Sequence, residues 1–581
     1  MTSKALSTKK TAWNLFGISI KKNFGITILV TVFMLLICPG YTVVEINRSL
    51  VYSPGIYDFS DILPALCGVI SFLTCGVAVI YCFINFAFMY SKKSGDMYFA
   101  LPLTRNKLLF SRLFASMAPV MLPIVLCYGS AAVILLSDKV SGGFSNILIA
   151  ALLNILLVIM SCFVTMLFIV CAGSVTDLLI SFFGLNIGAI VVAFMVFELC
   201  DENLRGFYCE EYGNFMTAFS PFLYGFINLM NKAENGFILD LSLLIYILRI
   251  IATSAICIIT ATVLFRKRKA EKCTAAYAYR GMYYVCGLVV SFLAAFMFGL
   301  IFGGGNQGLF FWVFGAFGAV LGAITFGLIT DRGFKTVKKS LLVGICSFVI
   351  MVTLTIILKT GAFGYTNRIP KAENIKSVTV SFDSVNTEFE NPQLVTTLHK
   401  KAIESDYDDV VEIEDAVIMY GTEDIKTESY ENEGSSTYIK FNYNLKNGLK
   451  LKREFLVSTK DCSEELLAIY KSKENIEAMK NIVDMFINPV NFYSDIISEE
   501  EYMSMQITKA ETKKLIDAYI EDLRYADERI IHKSDEVCSI YLDGTKMNQE
   551  YDSIDLFVTD DFENTKNVIE KLDPIEKNDT E

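Results

Sequence analysis

The sequence predicts an α-helical polytopic membrane protein of about nine spans that carries an α+β extracytoplasmic domain at its C-terminal end. Of its 581 residues, 53% are apolar, and the mean hydropathy is +0.45. Uncharged runs of about 20 residues recur, which is the length a helix needs to cross ~30 Å of hydrocarbon. Residues 1–359 carry 26 Lys/Arg and 15 Asp/Glu, whereas residues 360–581 carry 25 and 47. The chain therefore has an apolar basic part and an acidic polar part.

The distribution of Lys and Arg orients the predicted spans, because these residues collect on the cytoplasmic side of membrane proteins. With the N-terminus in the cytoplasm, the inner segments hold 20 Lys and Arg, and the outer loops hold four. An odd number of spans then places the chain from Gly361 onward outside the cell. The predicted spans are 24–44, 62–90, 113–137, 146–172, 178–199, 240–265, 282–303, 309–330 and 340–359.

Residues 1–23 predict an amphipathic helix that lies in the inner membrane interface. Trp13 and Phe16 fall among apolar positions, and Lys21 and Lys22 can reach anionic lipid headgroups. Membrane lipids would be the partner of this segment. The alternative is an ordinary positively charged flank of the first span.

Charge is almost absent from the predicted hydrocarbon interior. Arg249 is the clear exception, with Glu198 near the outer end of span five. These two residues could pair, or Arg249 could reach a polar cavity or the outer interface. Ion-coupled carriers need titratable groups near the midplane, so this class is disfavoured. No GxSxG or HExxH motif is present, which argues against a membrane hydrolase.

A metal site is not expected. The sequence has two histidines, His399 and His532, neither with a nearby ligand pattern, and both are predicted to lie at the surface. No CxxC pair occurs among the 15 cysteines. Two pairs, Cys200 with Cys209 and Cys462 with Cys538, could form disulfides outside the cell, but their spacing does not decide this.

A basic loop, Ser91–Arg112, joins spans two and three. It contains Gly95-Asp96 and then Leu101-Pro102-Leu103-Thr104-Arg105. Pro102 ends one helical stretch, and Thr104 can cap the next, which runs from Arg105 into span three. The loop therefore predicts a short helix parallel to the membrane, which a partner protein could push.

This pattern resembles the coupling segment of ABC-2 type permeases, the membrane subunits of ATP-driven exporters, in a branch from Gram-positive bacteria. The resemblance implies a six-span ABC-2-like unit at 24–270, three additional spans at 271–360 and an acidic outer domain at 361–581. It implies that the ATPase-coupling loop includes Gly95, Asp96, Leu101, Pro102, Thr104, Arg105 and Lys107.

Three further stretches carry the resemblance. The amphipathic stretch before span one resembles the family's interfacial connecting helix. Between spans five and six, Ser220, Pro221 and Phe222 lie in a Pro-broken apolar segment that resembles the family's re-entrant outer helices. After span six, Arg266–Lys272 resembles the Arg-rich exit of the same branch.

The resemblance implies a permease subunit in a bacterial plasma membrane that exports an amphiphilic cargo: a peptide, an antimicrobial or a lipid-like molecule. The chain has no GxxxxGK[ST] motif, so it is not expected to be an enzyme or to bind a cofactor. ATP and Mg would be bound by a separate ATPase subunit, and a second permease chain, identical or different, would complete the pore. No nucleic-acid partner is expected. The alternative is a sensor or scaffold whose outer domain binds a ligand such as an antimicrobial peptide.

Residues 361–581 are predicted to form an antiparallel sheet with helices. A hairpin over 438–455 should turn at Asn447-Gly448. The acidic clusters at 406–415 and 499–501 are predicted to be solvated. Other predicted strands are 375–382, 538–543 and 553–559, and predicted helices are 391–405, 463–486, 509–524 and 562–572.

Overall fold

The structure, a computed structural model, divides into two compact units. The helical unit comprises Met1–Glu198 with Glu211–Leu354, and the C-terminal unit comprises Leu199–Glu210 with Thr355–Glu581. The residues described are 2–52, 62–137, 143–209, 212–273, 275–303, 308–334, 337–383, 385–390, 392–405, 436–494, 503–532, 537–546 and 551–572.

Nine helical stretches in the described residues are long and apolar enough to cross a membrane, and each overlaps one predicted span. The polytopic helical architecture is therefore as the sequence predicts. The fifth stretch, Val175–Asn203, consists of two helices, which the sequence pattern does not distinguish. The helices are α1 (Thr2–Tyr52), α2 (Leu63–Phe86), α3 (Lys92–Phe99), α4 (Arg105–Ser137), α5 (Gly143–Cys171), α6 (Val175–Asn186), α7 (Gly188–Asn203), α8 (Tyr212–Thr217), α9 (Pro221–Glu234), α10 (Leu241–Lys267), α11 (Arg280–Gly303), α12 (Leu309–Asp331) and α13 (Val337–Lys359).

Helix α1 joins the predicted interfacial segment to the first predicted span without a break, so no helix end occurs at residue 23. Pro39 lies inside this helix. One face of α1 is buried and is hydrogen-bonded to α2: Thr27 Oγ1 lies 2.7 Å from the Tyr81 hydroxyl. The first helix is thus packed into the helical unit well before residue 24, since Ser19 and Asn23 are also fully buried.

The junction between α5 and α6 is a tight turn that separates the spans predicted at 146–172 and 178–199. Ser174 caps α6 by accepting a bond from the Asp177 backbone N–H at 3.2 Å, and the Asp177 carboxylate accepts from the Ser174 backbone N–H at 3.1 Å. This reciprocal pair is a capping box, which satisfies two helix-start donors at once. It ends one span and starts the next within three residues, Ala172 to Ser174.

The C-terminal unit contains two four-stranded antiparallel sheets with the same connectivity. The first has strand order β2-β1-β3-β4, and the second has β6-β5-β7-β8. Among the described residues, each sheet is built from two hairpins with helical residues between them, so the order of two strands, helix and two strands occurs twice. The elements are β1 (Ile375–Phe382), β2 (Val385–Phe389), α14 (Gln393–Glu404), β3 (Ser436–Leu445), β4 (Lys450–Ser458), α15 (Thr459–Tyr470), α16 (Lys473–Met485), β5 (Phe486–Ser494), β6 (Met503–Ile507), α17 (Lys509–Leu523), α18 (Arg529–His532), β7 (Cys538–Lys546), β8 (Tyr551–Val558) and α19 (Glu563–Ile569).

Several sequence predictions for this unit are confirmed, and others are wrong. The hairpin turns at Gly448, whose φ of +81° is one that glycine adopts readily. The helix predicted over 463–486 is two helices, because Ser472 caps a new start by accepting from the Asn475 N–H at 3.2 Å. Strands β2, β5 and β6 are not among the predicted strands. The acidic clusters at 406–415 and 499–501 lie outside the described residues.

The prediction that His399 lies at the surface is wrong. Its side chain is fully buried, stacked on Phe441 with ring centroids 4.6 Å apart. Nδ1 of His399 lies 2.8 Å from the Tyr443 hydroxyl. Burial lowers the pKa of His399 to about 3, and the nearby Arg453 charge contributes to this lowering. The side chain of His532 lies outside the described residues.

Candidate coupling surface

Helix α3 lies between the second and third candidate spans and has two distinct faces. One face is packed, since Gly95 is buried and Tyr98 and Phe99 are half-buried. The other face is exposed and consists of Lys92, Lys93, Asp96 and Met97. Met97 is 59% exposed, so one apolar side chain lies among the charged side chains of this face.

The turn after α3 has the local structure that the sequence predicts. Helix α3 ends at Phe99, the exposed Pro102 lies in the bend, and α4 begins at Arg105. Thr104 Oγ1 accepts from the Lys107 backbone N–H at 3.4 Å, the geometry of a helix N-cap. Leu101 is half-buried and Lys107 is exposed.

Arg105 binds the carboxyl end of α10. Its Nη1 donates to the carbonyl oxygens of Phe265, at 3.3 Å, and Arg266, at 2.9 Å, and also to that of Arg268. The carboxyl end of a helix carries partial negative charge and has carbonyl oxygens without a hydrogen-bond partner inside the helix. A guanidinium at this position offsets the charge and donates hydrogen bonds to those oxygens. The guanidinium also lies 5.3 Å from the centre of the Phe99 ring. Arg105 therefore joins α3 and α4 to the end of the sixth candidate span.

Arg268 performs the same function for the carboxyl end of α5. It is 2% exposed, and its Nη1 donates to the carbonyls of Ile169 (3.1 Å), Val170 (2.7 Å) and Ala172 (2.8 Å). Its Nη2 donates to Met89, in the turn that follows α2, at 3.2 Å. Burial lowers the pKa of Arg268 from its ordinary value, yet a guanidinium remains protonated at neutral pH.

Arg112 connects α3 to the first helix. Its guanidinium lies 4.7 Å from the centre of the Tyr98 ring, and its Nη1 donates to Ser19 Oγ at 2.5 Å. The side chain is 4% exposed. The sequence indicates a basic loop but contains no sign that Arg112 and Arg268 are buried.

Gly95 on α3 lies against the chain that follows α10. A Cβ added to Gly95 would lie 3.2 Å from Cys273 Sγ and 3.5 Å from the Phe88 carbonyl oxygen. The packed face of α3 therefore fits closely against residues that follow Arg268. Together, α3, Arg105, Arg112 and Arg268 form the candidate coupling surface.

The predicted interfacial residues lie on the exposed side of α1. Trp13 is 72% exposed and its ring stacks on Phe16 at 5.2 Å, and Lys21 and Lys22 are both exposed. An exposed indole next to exposed lysines is typical of residues at the membrane surface.

The predicted re-entrant segment forms two short helices, α8 and α9. Ser220 is buried and caps α9 by accepting from the Leu223 N–H at 3.4 Å, with Pro221 in the first turn. Phe222 packs edge-to-face on Phe182 at 5.4 Å. Neither helix is among the nine candidate spans found in the described residues.

Arg249 lies on α10, near the start of α9. Its Nη2 donates to the Ala218 carbonyl at 2.9 Å, and its guanidinium lies 3.7 Å from the centre of the Tyr224 ring. Glu198 is half-buried on α7. Arg249 thus fastens the turn before α9 to the sixth candidate span through a carbonyl and an aromatic ring.

Comparisons with known proteins gave no match: no family model fits the sequence, and neither a curated protein nor a solved structure is similar to it. Among the described residues, no group of three or more His, Cys, Asp or Glu side chains is placed to hold a metal ion. Neither cysteine pair considered from the sequence, Cys200 with Cys209 or Cys462 with Cys538, is joined by a disulfide.

Proposed function

We propose that this protein is the permease subunit of an ATP-driven ABC-2 type exporter, and that α3 is where a separate ATPase subunit docks. The observation that carries the proposal is the division of α3 into a packed face and an exposed face. The exposed face offers two lysines, Asp96 and the apolar Met97 to a partner. Charged residues around a central apolar side chain are the usual composition of a protein-binding patch.

The packed face supports a mechanical role. Displacement of α3 is transmitted to α4 and α10 through Arg105, and to α1 through Tyr98 and Arg112. Gly95 lies against Cys273, and Arg268 next to it holds the end of α5. A push on one eight-residue helix would thus tilt several candidate spans together, which alternating access requires.

The cargo class is inferred from the composition of the candidate spans. The candidate spans supply apolar, aromatic and small polar side chains, and few charges. Such a conduit suits an amphiphilic peptide or lipid-like molecule and would oppose a bare ion. The proposal puts the chain in a bacterial plasma membrane with α3 on the cytoplasmic side and residues after Gly361 outside.

The test is recovery of the ATPase from membranes of the cells that naturally express the protein. Tagged wild-type protein and a Met97→Asp variant are solubilised and purified, and co-purifying chains are identified by mass spectrometry. Phe334→Asp is the matched control, because Phe334 is 82% exposed in the loop between α12 and α13. Wild type and the control should retain a chain that contains a phosphate-binding loop, and Met97→Asp should retain roughly tenfold less, the loss expected when a central apolar anchor of an interface is replaced.

Equal recovery with Met97→Asp would contradict docking at α3. Absence of any nucleotide-binding chain from the wild-type sample would contradict the exporter as a whole. That second result would favour the alternative, a sensor or scaffold that does not transport.

A further inference from the structure

Two segments far apart in sequence meet within the C-terminal unit. One is Leu199–Glu210, which includes the end of α7, and the other begins at Thr355, near the end of α13. Each leads from a candidate span into the sheet domain. The two segments meet at Tyr365, which lies on the buried side chain of Arg453.

The chain leaves α13 through an unusual turn. Gly361 N–H donates to Leu358 O and Ala362 N–H to Ile357 O, both at 2.9 Å, which is the Schellman pattern. Residues 361–364 then all have positive φ, at 80°, 43°, 59° and 84°, and Tyr365 N–H donates to Gly361 O at 2.8 Å. This is one turn of left-handed helix, which Ala362 and Phe363 disfavour because their Cβ atoms crowd the backbone. Contacts further along must therefore hold it.

Tyr365 supplies those contacts. The Arg453 guanidinium lies 3.4 Å from the centre of the Tyr365 ring, and its Nη2 donates to the Tyr365 carbonyl at 2.6 Å. Arg453 is 0% exposed, and within the described part of the chain its Nε and Nη1 have no hydrogen-bond partner. A buried charge whose donors are only partly satisfied costs free energy. The packing around Arg453 must offset this cost for the side chain to remain buried.

The segment 204–209 closes over the same region. Arg205 Nη2 donates to the Ala402 carbonyl at 3.3 Å and to that of Ser405, at the carboxyl end of α14. Gly206 has a φ of +75°, and a Cβ there would overlap the ring of Phe455, the strand residue two after Arg453. The ring of Phe207 lies 6.5 Å from that of Tyr365.

We infer that Tyr365, seated on Arg453, is a latch that ties segment 204–209 to segment 361–368 and so fixes the separation between the ends of α7 and α13. Tyr365 belongs to one segment, packs against Phe207 of the other and is held by Arg453, so release of either segment removes contacts that hold the other. The two segments therefore open together. This inference is independent of the transport proposal, because it concerns only contacts within the C-terminal unit.

The test is hydrogen–deuterium exchange of the full-length protein in detergent micelles. Tyr365→Ser should raise amide exchange in 204–209 roughly tenfold, and Arg205→Gln should do the same in 361–368. Phe363→Ser is the matched control, because Phe363 belongs to the same left-handed turn but is 93% exposed. It should change neither segment.

If each variant loosens only its own segment, the latch is wrong. Amides of β5 to β8 report the fold and should stay within about twofold of wild type. If they also exchange faster in Tyr365→Ser, the deciding variant is Tyr365→Phe, which keeps the ring and the carbonyl that Arg453 contacts. It should restore protection in 204–209, and its failure to do so would overturn the inference.

Discussion

The Nη1 of Arg105 donates to the backbone carbonyl of Arg266 at 2.9 Å, joining the start of the third candidate span to the end of the sixth. The sequence motif places Arg105 in a loop available to a partner. In the structure its guanidinium is directed into the protein, where it caps a helix. The side chains that α3 exposes are instead Lys92, Lys93, Asp96 and Met97.

Loss of this cap should destabilise the helical unit. Arg105→Met retains much of the aliphatic side chain but removes the charged donors to the α10 carbonyls, and a charged hydrogen bond is worth about 1.5–3 kcal/mol. Thermal unfolding of the purified protein, followed by intrinsic fluorescence, should shift downward by several degrees. Lys93→Met is the control, because Lys93 is exposed on α3. An equal effect of both substitutions would show that Arg105 acts only as a surface charge.

Gly173 is predicted to be intolerant of any side chain. A Cβ there would overlap the Ala275 carbonyl oxygen and lie 2.9 Å from its carbon, both backbone atoms that cannot rotate away. Gly173→Ala should therefore force the segment after α10 away from the α5–α6 turn and greatly reduce the monodisperse fraction in size-exclusion chromatography.

Gly184→Ala is the matched control, since a Cβ at Gly184 meets nothing within 4 Å. It should leave the yield unchanged. Normal yield from Gly173→Ala would contradict the close packing of residues 275–276 on this turn.

The C-terminal unit should lose stability as pH falls below about 6.5. His399 is neutral when folded because burial lowers its pKa to about 3, whereas the unfolded chain takes up the proton near 6.5. The contribution of His399 to the free energy of unfolding is therefore complete above pH ~6.5 and declines between pH ~6.5 and pH ~3. At a pH of about 5 it has fallen by about 2 kcal/mol. His399→Gln should flatten the dependence of the melting temperature on pH over this range. If the melting temperatures of wild type and variant change in parallel with pH, His399 is not the group responsible.

Thiol labelling tests the predicted side of the C-terminal unit. Cys462 is fully buried and burial raises its pKa to about 12, so it should not react with a membrane-impermeant maleimide. Tyr525 is 91% exposed, and Tyr525→Cys should add label in intact cells. Cys462→Ser should leave labelling unchanged. Label that reaches the introduced thiol only after lysis would place this unit in the cytoplasm.

Local patterns in the sequence predict the elements that local interactions determine. Nine apolar stretches indicate the candidate spans, and Asn447-Gly448 indicates the hairpin turn. Thr104 and Pro102 indicate the helix boundary in the loop, because capping and proline geometry act within a few residues.

Interactions between distant residues could not be predicted in this way. Arg268 caps carbonyls 96 to 179 residues away, and nothing near it in sequence indicates that it is buried. An isolated histidine such as His399 shows no ligand pattern and so is expected at the surface, yet three aromatic side chains from β3 and β4 surround it. The start of strand β5 could not be recognised from the sequence, because Phe486 continues the apolar periodicity of the preceding helix and so falls within the predicted helix over 463–486.

Photo-crosslinking from α3 shows whether an ATPase subunit docks on this helix. A benzophenone amino acid placed at Met97 in the full-length protein is activated in intact cells, and crosslinked chains are identified by mass spectrometry. If the ATPase docks at α3, we expect a crosslink to a chain that contains a phosphate-binding loop, and none to that chain from the same probe at Phe334. Crosslinks from position 97 to lipid or to unrelated chains, with no nucleotide-binding chain among them, would contradict this docking.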